Sequence, residues 1–315
     1  MISLETIGEA HDRIRPYVHH TAVMTNKTIN ERIGADLFFK CENFQKIGAF
    51  KARGGLNAVL QVVGNGEGTA VTTHSSGNHA QAVAFAARQV GIPAYIVMPR
   101  TAPQVKKEAV LGYGAEVIEC EPTLEAREAG VLEVIKRTGA VLVHPFDNDR
   151  VIAGQATATK ELIEDFGQDK PFATILAPVG GGGLLSGTAL AAHYLSPTTR
   201  IIAGEPEGAA DAILSFLSGR VEKAPYIKTI ADGLMTSLSE RTLAIIRTHV
   251  SEILTVSDPE ISAAMRLVWE RMKIVIEPSS AVPLAAVIKH KEQFAGQKVG
   301  IILTGGNVDL GKLPF

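Results

Sequence analysis

Four consecutive glycines, Gly180, Gly181, Gly182 and Gly183, stand between an apolar run at 174–177 and a helix-like segment at 184–194. Glycine loses more backbone freedom on folding than any other residue, so a run of four is not there to build a core. It permits close approach instead: bare backbone N–H groups aimed at an anion, backed by the partial positive charge of a helix N-terminus. Strand, glycine turn and helix in that order read as a phosphate cradle in an α/β fold. A merely flexible turn would account for two glycines and accounts poorly for four. The cradle is not of the dinucleotide type. Counted from Gly180 or Gly181, the last position of G-x-G-x-x-G falls on Leu185 or Ser186, although Glu205 lies at the distance of a ribose-binding acid. Nor does a Gly-Lys-Ser/Thr sequence follow to complete a Walker A loop.

The rest of the chain repeats this order of elements. From Thr69, strand-like segments (70–73, 94–98, 116–120, 140–144) alternate with helix-like ones (79–90, 103–111, 124–137), and Gly91, Gly112, Gly114 and Gly139 mark helix ends. A second series after Asp147 holds a helix at 152–166 and strands at 174–177, 201–204 and 299–303, which the stretch 36–41 is expected to join. The rhythm predicts an α/β protein of two open, mostly parallel twisted sheets. The expected division is a large lobe of residues 1–69 and 150–315 with a small lobe, 70–149, inserted in it. A length of 315 residues suffices for both cores. The net charge of −2 gives no reason to expect nucleic acid or an anionic membrane as partner. Cys41 and Cys120 are too few for a disulfide framework, and buried thiols in a reducing compartment are expected. The stretch 1–17 is charged and amphipathic, unlike a signal peptide, and no apolar run reaches membrane-spanning length, so a cytoplasmic location is expected.

Ligands of open α/β sheets bind beyond the carboxyl ends of the strands. Four residue clusters fall at such ends: 45–54 around Lys51, Ser75-Ser76-Gly77-Asn78-His79, the glycine run, and Thr304-Gly305-Gly306-Asn307. A lysine is ordinarily a solvated cation. Lys51, however, opens an expected helix after Phe50, where the helix dipole opposes its charge and lowers its pKa. A desolvated lysine of that kind is a Schiff-base nucleophile. Ser-Ser-Gly-Asn-His is equally readable as a turn with a capping serine. Beside a phosphate cradle and a candidate lysine it points to pyridoxal phosphate, which needs a lysine for its aldehyde, donors for its phosphate and a partner for its ring nitrogen.

In this order the motifs, from Phe39-Lys40-Cys41-Glu42-Asn43 to Gly305-Gly306-Asn307-Val308-Asp309, resemble the fold-type II (tryptophan synthase β-like) pyridoxal-phosphate enzymes. The chain is most similar to the serine/threonine dehydratase and serine racemase family, which includes 3-hydroxyaspartate ammonia-lyases. The resemblance implies that Lys51 carries the cofactor aldehyde and that Asn78 bonds its ring hydroxyl. It assigns the phosphate to Gly180–Gly183 and Leu184, and the pyridine nitrogen to Thr304. Phe50, Gly233 and Glu277 complete the implied cofactor pocket. A neutral hydroxyl such as that of Thr304 cannot hold the ring nitrogen protonated, which suits elimination better than a long-lived carbanion. Ser75, Ser76, Asn78, His79, Arg127 and Thr236 are implied substrate contacts. Ser76 matches the serine opposite the lysine in racemases, and Arg127 is otherwise a solvated helix arginine. Glu205, Ala209 and Asp211 repeat the family's divalent-cation site, whose hard oxygen ligands suit Mg²⁺, Ca²⁺ or Mn²⁺; without a cation they are an acidic loop capping the next helix. Phe146 and Ala49 depart from common family residues. The family's nucleotide site is only partly matched, with Asn26, Lys46 and Tyr113 present but Ile47 in place of a threonine, so ATP control is not expected.

The expected activity is β-elimination of a β-hydroxy-α-amino acid (threonine, serine or 3-hydroxyaspartate) to a 2-oxo acid and ammonia, by a homodimer. The alternative is racemisation, with Lys51 and Ser76 acting on opposite faces. A synthase of the same fold and a non-catalytic phosphate-binding α/β protein are the remaining readings.

Overall fold

A computed structural model describes residues 2–315 and contains two sheets among them. The strands are β1 (Val23–Met24), β2 (Asp36–Cys41), β3 (Val71–His74), β4 (Ala94–Pro99), β5 (Glu116–Cys120), β6 (Val141–Leu142), β7 (Thr174–Pro178), β8 (Arg200–Pro206), β9 (Glu252–Val256) and β10 (Lys298–Leu303). One sheet has the order β1-β2-β10-β7-β8-β9 and the other β5-β4-β3-β6. All pairings are parallel except the short β1 against β2. The stretch 36–41 joins the six-stranded sheet as expected, running from Asp36 opposite Lys298 to Cys41 opposite Leu303. That register brings the segments following β2 and β10, including Lys51 and Thr304, to the same edge of the sheet.

Parallel sheets need cover on both faces, and the near-continuous apolar strands obtain it. The helices Asp258–Met272 and Pro278–Lys289 close one face of the six-stranded sheet, with Met265, Val268, Leu284 and Val287 fully buried. The helices Asp149–Phe166 and Gly183–Leu195 pack on the other, through Leu162, Ile163 and Leu185. Against the four-stranded sheet lies the alanine-rich helix Asn78–Val90, which ends at Gly91 in the left-handed conformation (φ +69°). No helix of the described residues is long and apolar enough to cross a membrane.

Two local expectations need correction. The strand expected at 140–144 pairs only over Val141–Leu142. The chain turns there because Pro145 has no N–H to continue a ladder and His144 Nδ1 instead accepts from Asp147 N at 2.9 Å. Cys41 is fully buried, and desolvation pushes its thiol up to about 12, but Cys120 is only half-buried. Sequence periodicity also missed β9 and the two-residue β1.

A buried charge cluster anchors the helix Lys51–Gly64. Arg53, fully buried, donates from Nε and Nη2 to Glu42 (2.7 and 2.8 Å) and from Nη1 and Nη2 to Glu161 (2.6 and 2.8 Å). Lys40 Nζ, equally buried, donates to Glu161 Oε2 at 2.6 Å and to the Thr21 carbonyl at 2.8 Å. Buried ions persist only when each is paired and its remaining hydrogen-bonding capacity satisfied. Here the turn after β2 and the helix Asp149–Phe166 meet on Arg53, two residues from Lys51, and Lys40 of β2 joins them through Glu161.

Candidate active site

Lys51 is the first residue of its helix. It is set by a tight approach in which Ile47 (φ +59°) and Gly48 (φ +70°) take left-handed conformations. Ala49 bridges Gly305, and Phe50 N donates to the Thr304 carbonyl at 2.9 Å, so the Lys51 turn is stitched to the end of β10. The Lys51 amine points into the cleft and donates to the Pro145 carbonyl at 2.7 Å. Desolvation lowers its pKa from the ordinary 10.5 to about 8. The direction agrees with the sequence expectation, and burial is the cause.

The glycine run follows β7 and leads directly into the helix Gly183–Leu195. Among the described residues the amides of Gly180 to Leu184 donate to no other group, leaving a row of free N–H donors at a helix start. Gly182 has φ +85°. A Cβ on Gly181 would lie 2.2 Å from the Phe146 ring, so Phe146 packs onto the bare backbone and no larger residue fits beneath it. The cleft is thereby walled on one side by main chain.

A chain of amides and a carboxyl crosses the base of the cleft. Asn78 Nδ2 donates to Glu277 Oε1 at 2.8 Å, and Asn307 Nδ2 donates to Asn78 Oδ1 (2.9 Å) and the Ile47 carbonyl (2.8 Å). Burial, reinforced by the nearby Asp232 charge, raises Glu277 to about 7. Glu277 Oε2 and Thr304 Oγ1 are buried without a hydrogen-bond partner among the described residues. Gly233 N donates to Ser279 Oγ at 3.0 Å, on the turn that closes this side.

Ser75, Ser76, His79, Arg127 and Thr236 all line the same cleft. Ser76 is not a helix cap: that position is Gly77, which has no side-chain cap bond, and Ser75 Oγ accepts from Gly77 N at 3.2 Å. His79 Nε2 bonds the Val143 carbonyl at 2.9 Å, and desolvation holds the ring well below its usual range, keeping it neutral. Arg127 makes no ion pair among the described residues, and its Nε is buried without a partner. Arg127 is half-buried, so its side chain is neither fully solvated nor enclosed. Glu205, Ala209 and Asp211 lie outside the cleft. Glu205 Oε1 and Oε2 accept from Ala212 N (2.6 Å) and Ile213 N (3.0 Å), capping the helix Asp211–Ser218, while Asp211 Oδ2 is buried and unpartnered. Burial, with repulsion from Asp211, raises Glu205 to about 8, and burial raises Asp211 to about 6.

Three features of the cleft escaped sequence reasoning. Lys106 Nζ donates to Asp232 Oδ2 at 2.5 Å, tying a helix beside the four-stranded sheet to a turn of the larger one. His74 and His144 meet edge-to-face at 5.7 Å, and desolvation lowers both, His144 to about 4. Pro145 supplies the carbonyl for Lys51. No local pattern announces any of these, since the Lys106 and Asp232 partners are 126 residues apart.

Pyridoxal phosphate fits these residues on structural grounds alone. The free amides of Gly180 to Leu184 suit a phosphate, the depressed Lys51 amine suits an aldehyde, and the orphaned Thr304 hydroxyl suits a ring nitrogen.

Comparisons with known proteins agree. The family described as pyridoxal-phosphate dependent enzyme matches residues 14–305. The beta-hydroxyaspartate dehydratase of Paracoccus denitrificans is 51% identical over 311 residues, covering 99% of this chain and 98% of that protein. The L-threo-3-hydroxyaspartate ammonia-lyase of Saccharomyces cerevisiae is 47% identical over 303 residues, covering 96% and 92%. The crystal structure of serine racemase from Dictyostelium discoideum has a TM-score of 0.92 and 48% identity, covering 98% of this chain and 99% of that one.

Proposed function

The chain belongs to the pyridoxal-phosphate dependent enzymes, and from that premise we propose that it eliminates water from a 3-hydroxyaspartate, releasing a 2-oxo acid and ammonia. The observation that carries the substrate is Arg127, a cleft-lining guanidinium with a buried, unpartnered Nε and no carboxylate of its own. A dicarboxylic substrate brings a second anion that this group can accept in bidentate fashion. The relatives named for hydroxyaspartate support the same choice. A non-catalytic binder falls away, because the relatives matched along nearly the whole chain are enzymes.

When bound, pyridoxal phosphate supplies an aldehyde for the substrate amine and an electron-withdrawing ring that acidifies the Cα–H bond. Gly180 to Leu184 would hold the phosphate with main-chain N–H donors, Asn78 would bond the ring hydroxyl, and Thr304 would serve the ring nitrogen. Phe50, Gly233 and Glu277 shape the pocket. Ser75, Ser76 and Asn78, with the backbone N–H of His79 at the helix start, orient the α-carboxylate, and Thr236 closes the rim. Lys51, with a pKa near 8, is part-neutral at working pH and takes the Cα proton on its Nζ. Proton abstraction by a positioned base contributes roughly 10²–10⁴-fold.

Racemisation is the second reading, favoured by Ser76: its hydroxyl does not cap the helix and bonds no other group among the described residues. A proton returned from Ser76 before the hydroxyl leaves would invert Cα. A barrier difference of about 1.4 kcal/mol shifts the partition tenfold. We further propose that Glu205, Ala209 and Asp211 hold Mg²⁺, Ca²⁺ or Mn²⁺, supported by the stranded Asp211 oxygen, and that the enzyme is a homodimer, on the resemblance alone.

A panel of hydroxyaspartate stereoisomers, L- and D-serine and L-threonine tests the reading. Arg127→Met should raise KM for hydroxyaspartate about 100-fold, the worth of a charge-assisted hydrogen-bond pair, and leave serine turnover within a few-fold. Equal loss on both substrates would refute the assignment of the distal carboxylate. Ser76→Ala should suppress racemisation more than elimination.

A further inference from the structure

Outside the cleft lining, where the N-terminal helix Leu4–Ile14 packs on the helix Asp149–Phe166, a second group of side chains converges. We propose that His11, His20 and Glu161 form a binding site for a transition-metal ion of the zinc class, with Asp165 orienting His20.

The donor atoms of His11, His20 and Glu161 all lie within 4.8 Å of one another. His11 Nε2 is 3.6 Å and His20 Nδ1 3.9 Å from the same oxygen, Glu161 Oε1. Ligands of a tetrahedral ion at about 2.0–2.1 Å stand roughly 3.4 Å apart, so each histidine nitrogen needs to close on Glu161 Oε1 by only a few tenths of an ångström, while the two imidazoles lie within 4.8 Å of each other. On the far side of its ring, His20 Nε2 is 2.7 Å from Asp165 Oδ2. A carboxylate can only accept, so Nε2 carries the proton and Nδ1 presents its lone pair toward Glu161. A carboxylate behind an imidazole is the arrangement that fixes tautomer and ring angle in zinc sites. Glu161 and Asp165 are one helical turn apart, which puts both on the face that meets the histidines.

The donor set selects the metal. Two imidazoles and one carboxylate suit Zn²⁺, Co²⁺ or Ni²⁺ and not the hard ions that Glu205 and Asp211 would take. Glu161 is 1% exposed; burial opposes its charge, but its hydrogen bonds and the nearby Arg53 and Lys40 charges hold it ionised well below the carboxylate range, and Oε1, the oxygen offered to the metal, also accepts from Arg53 Nη1 at 2.6 Å. The same two cations share its charge, which tempers affinity. His20 is 56% exposed and leaves an open path for the ion, with water to complete the shell. Metal there would staple the N-terminal helix to the helix that carries Glu161, without touching the cleft.

The test uses full-length holoenzyme stripped of trace metal and kept in excess Mg²⁺, titrated with Co²⁺. Expected is one equivalent of tetrahedral Co²⁺ per chain, seen as visible d–d absorption at longer wavelength than the cofactor band and displaced by Zn²⁺. Asp165→Asn should weaken binding about 10–100-fold. His11→Ala and His20→Gln should each abolish the band while turnover with Mg²⁺ persists, and His20→Gln, at an exposed position, guards against a misfolded variant. Absence of the band in the wild type, or an undiminished band in the His11→Ala/His20→Gln double variant, would overturn the proposal and leave an ordinary imidazole–carboxylate contact.

Discussion

Lys51 owes its reactivity to where it is buried rather than to any bonded acid. Among the described residues its sole hydrogen-bond partner is a neutral carbonyl, that of Pro145, and desolvation alone sets its pKa near 8. Lys51→Ala should therefore abolish turnover and the visible absorption of enzyme-bound cofactor while far-UV circular dichroism stays unchanged; retained turnover would remove the residue from the mechanism. At this scale the sequence was informative wherever chemistry has a local signature. Lys51, Asn78, the glycines and Thr304 are all marked by their neighbours, and the fold gathers them into one cleft. Lys106, His74 and His144 carry no such mark, because their meaning arises from partners brought in by the tertiary fold.

Among elements, the start of the helix Gly183–Leu195 is the most constrained. Its glycines expose donors, but Gly181 is also held by the Phe146 ring. Gly181→Ala should destabilise the protein by about 1–3 kcal/mol through overpacking and weaken cofactor binding. Adding Phe146→Ala should recover much of that loss, a coupling that chemical denaturation in a double-mutant cycle would measure. Additive losses would mean that the two do not compete for space. Periodicity located most strands here since each is a compact apolar run between turn residues. It overran β6, where a proline and a histidine-accepted turn end the ladder, and it missed β1, whose two residues are too few to show a period.

For the whole molecule, ions tune stability. Glu205 and Asp211 have folded-state pKa values raised to about 8 and about 6, so between pH 4.5 and 8 the folded chain holds protons that the unfolded chain releases. Without a cation, stability should fall as pH rises through that window. Mg²⁺ should offset the fall, giving a larger thermal shift at pH 8 than at pH 5; a shift independent of pH would argue against ligation by these carboxyls. The Lys106–Asp232 pair links the parts of the chain that build the two sheets across the cleft. Asp232→Asn should loosen that link and raise KM more than it lowers kcat, as steady-state kinetics will read. A different constraint comes from Arg53, Lys40, Glu42 and Glu161. Replacing any one strands an ion in the interior at a cost of about 3–5 kcal/mol, a large share of a typical net stability of about 5–15 kcal/mol. Lineages descending from this chain can exchange the quartet only as a set, so the distance from β2 to the reactive amine is inherited as a fixed measure while the surface around it drifts.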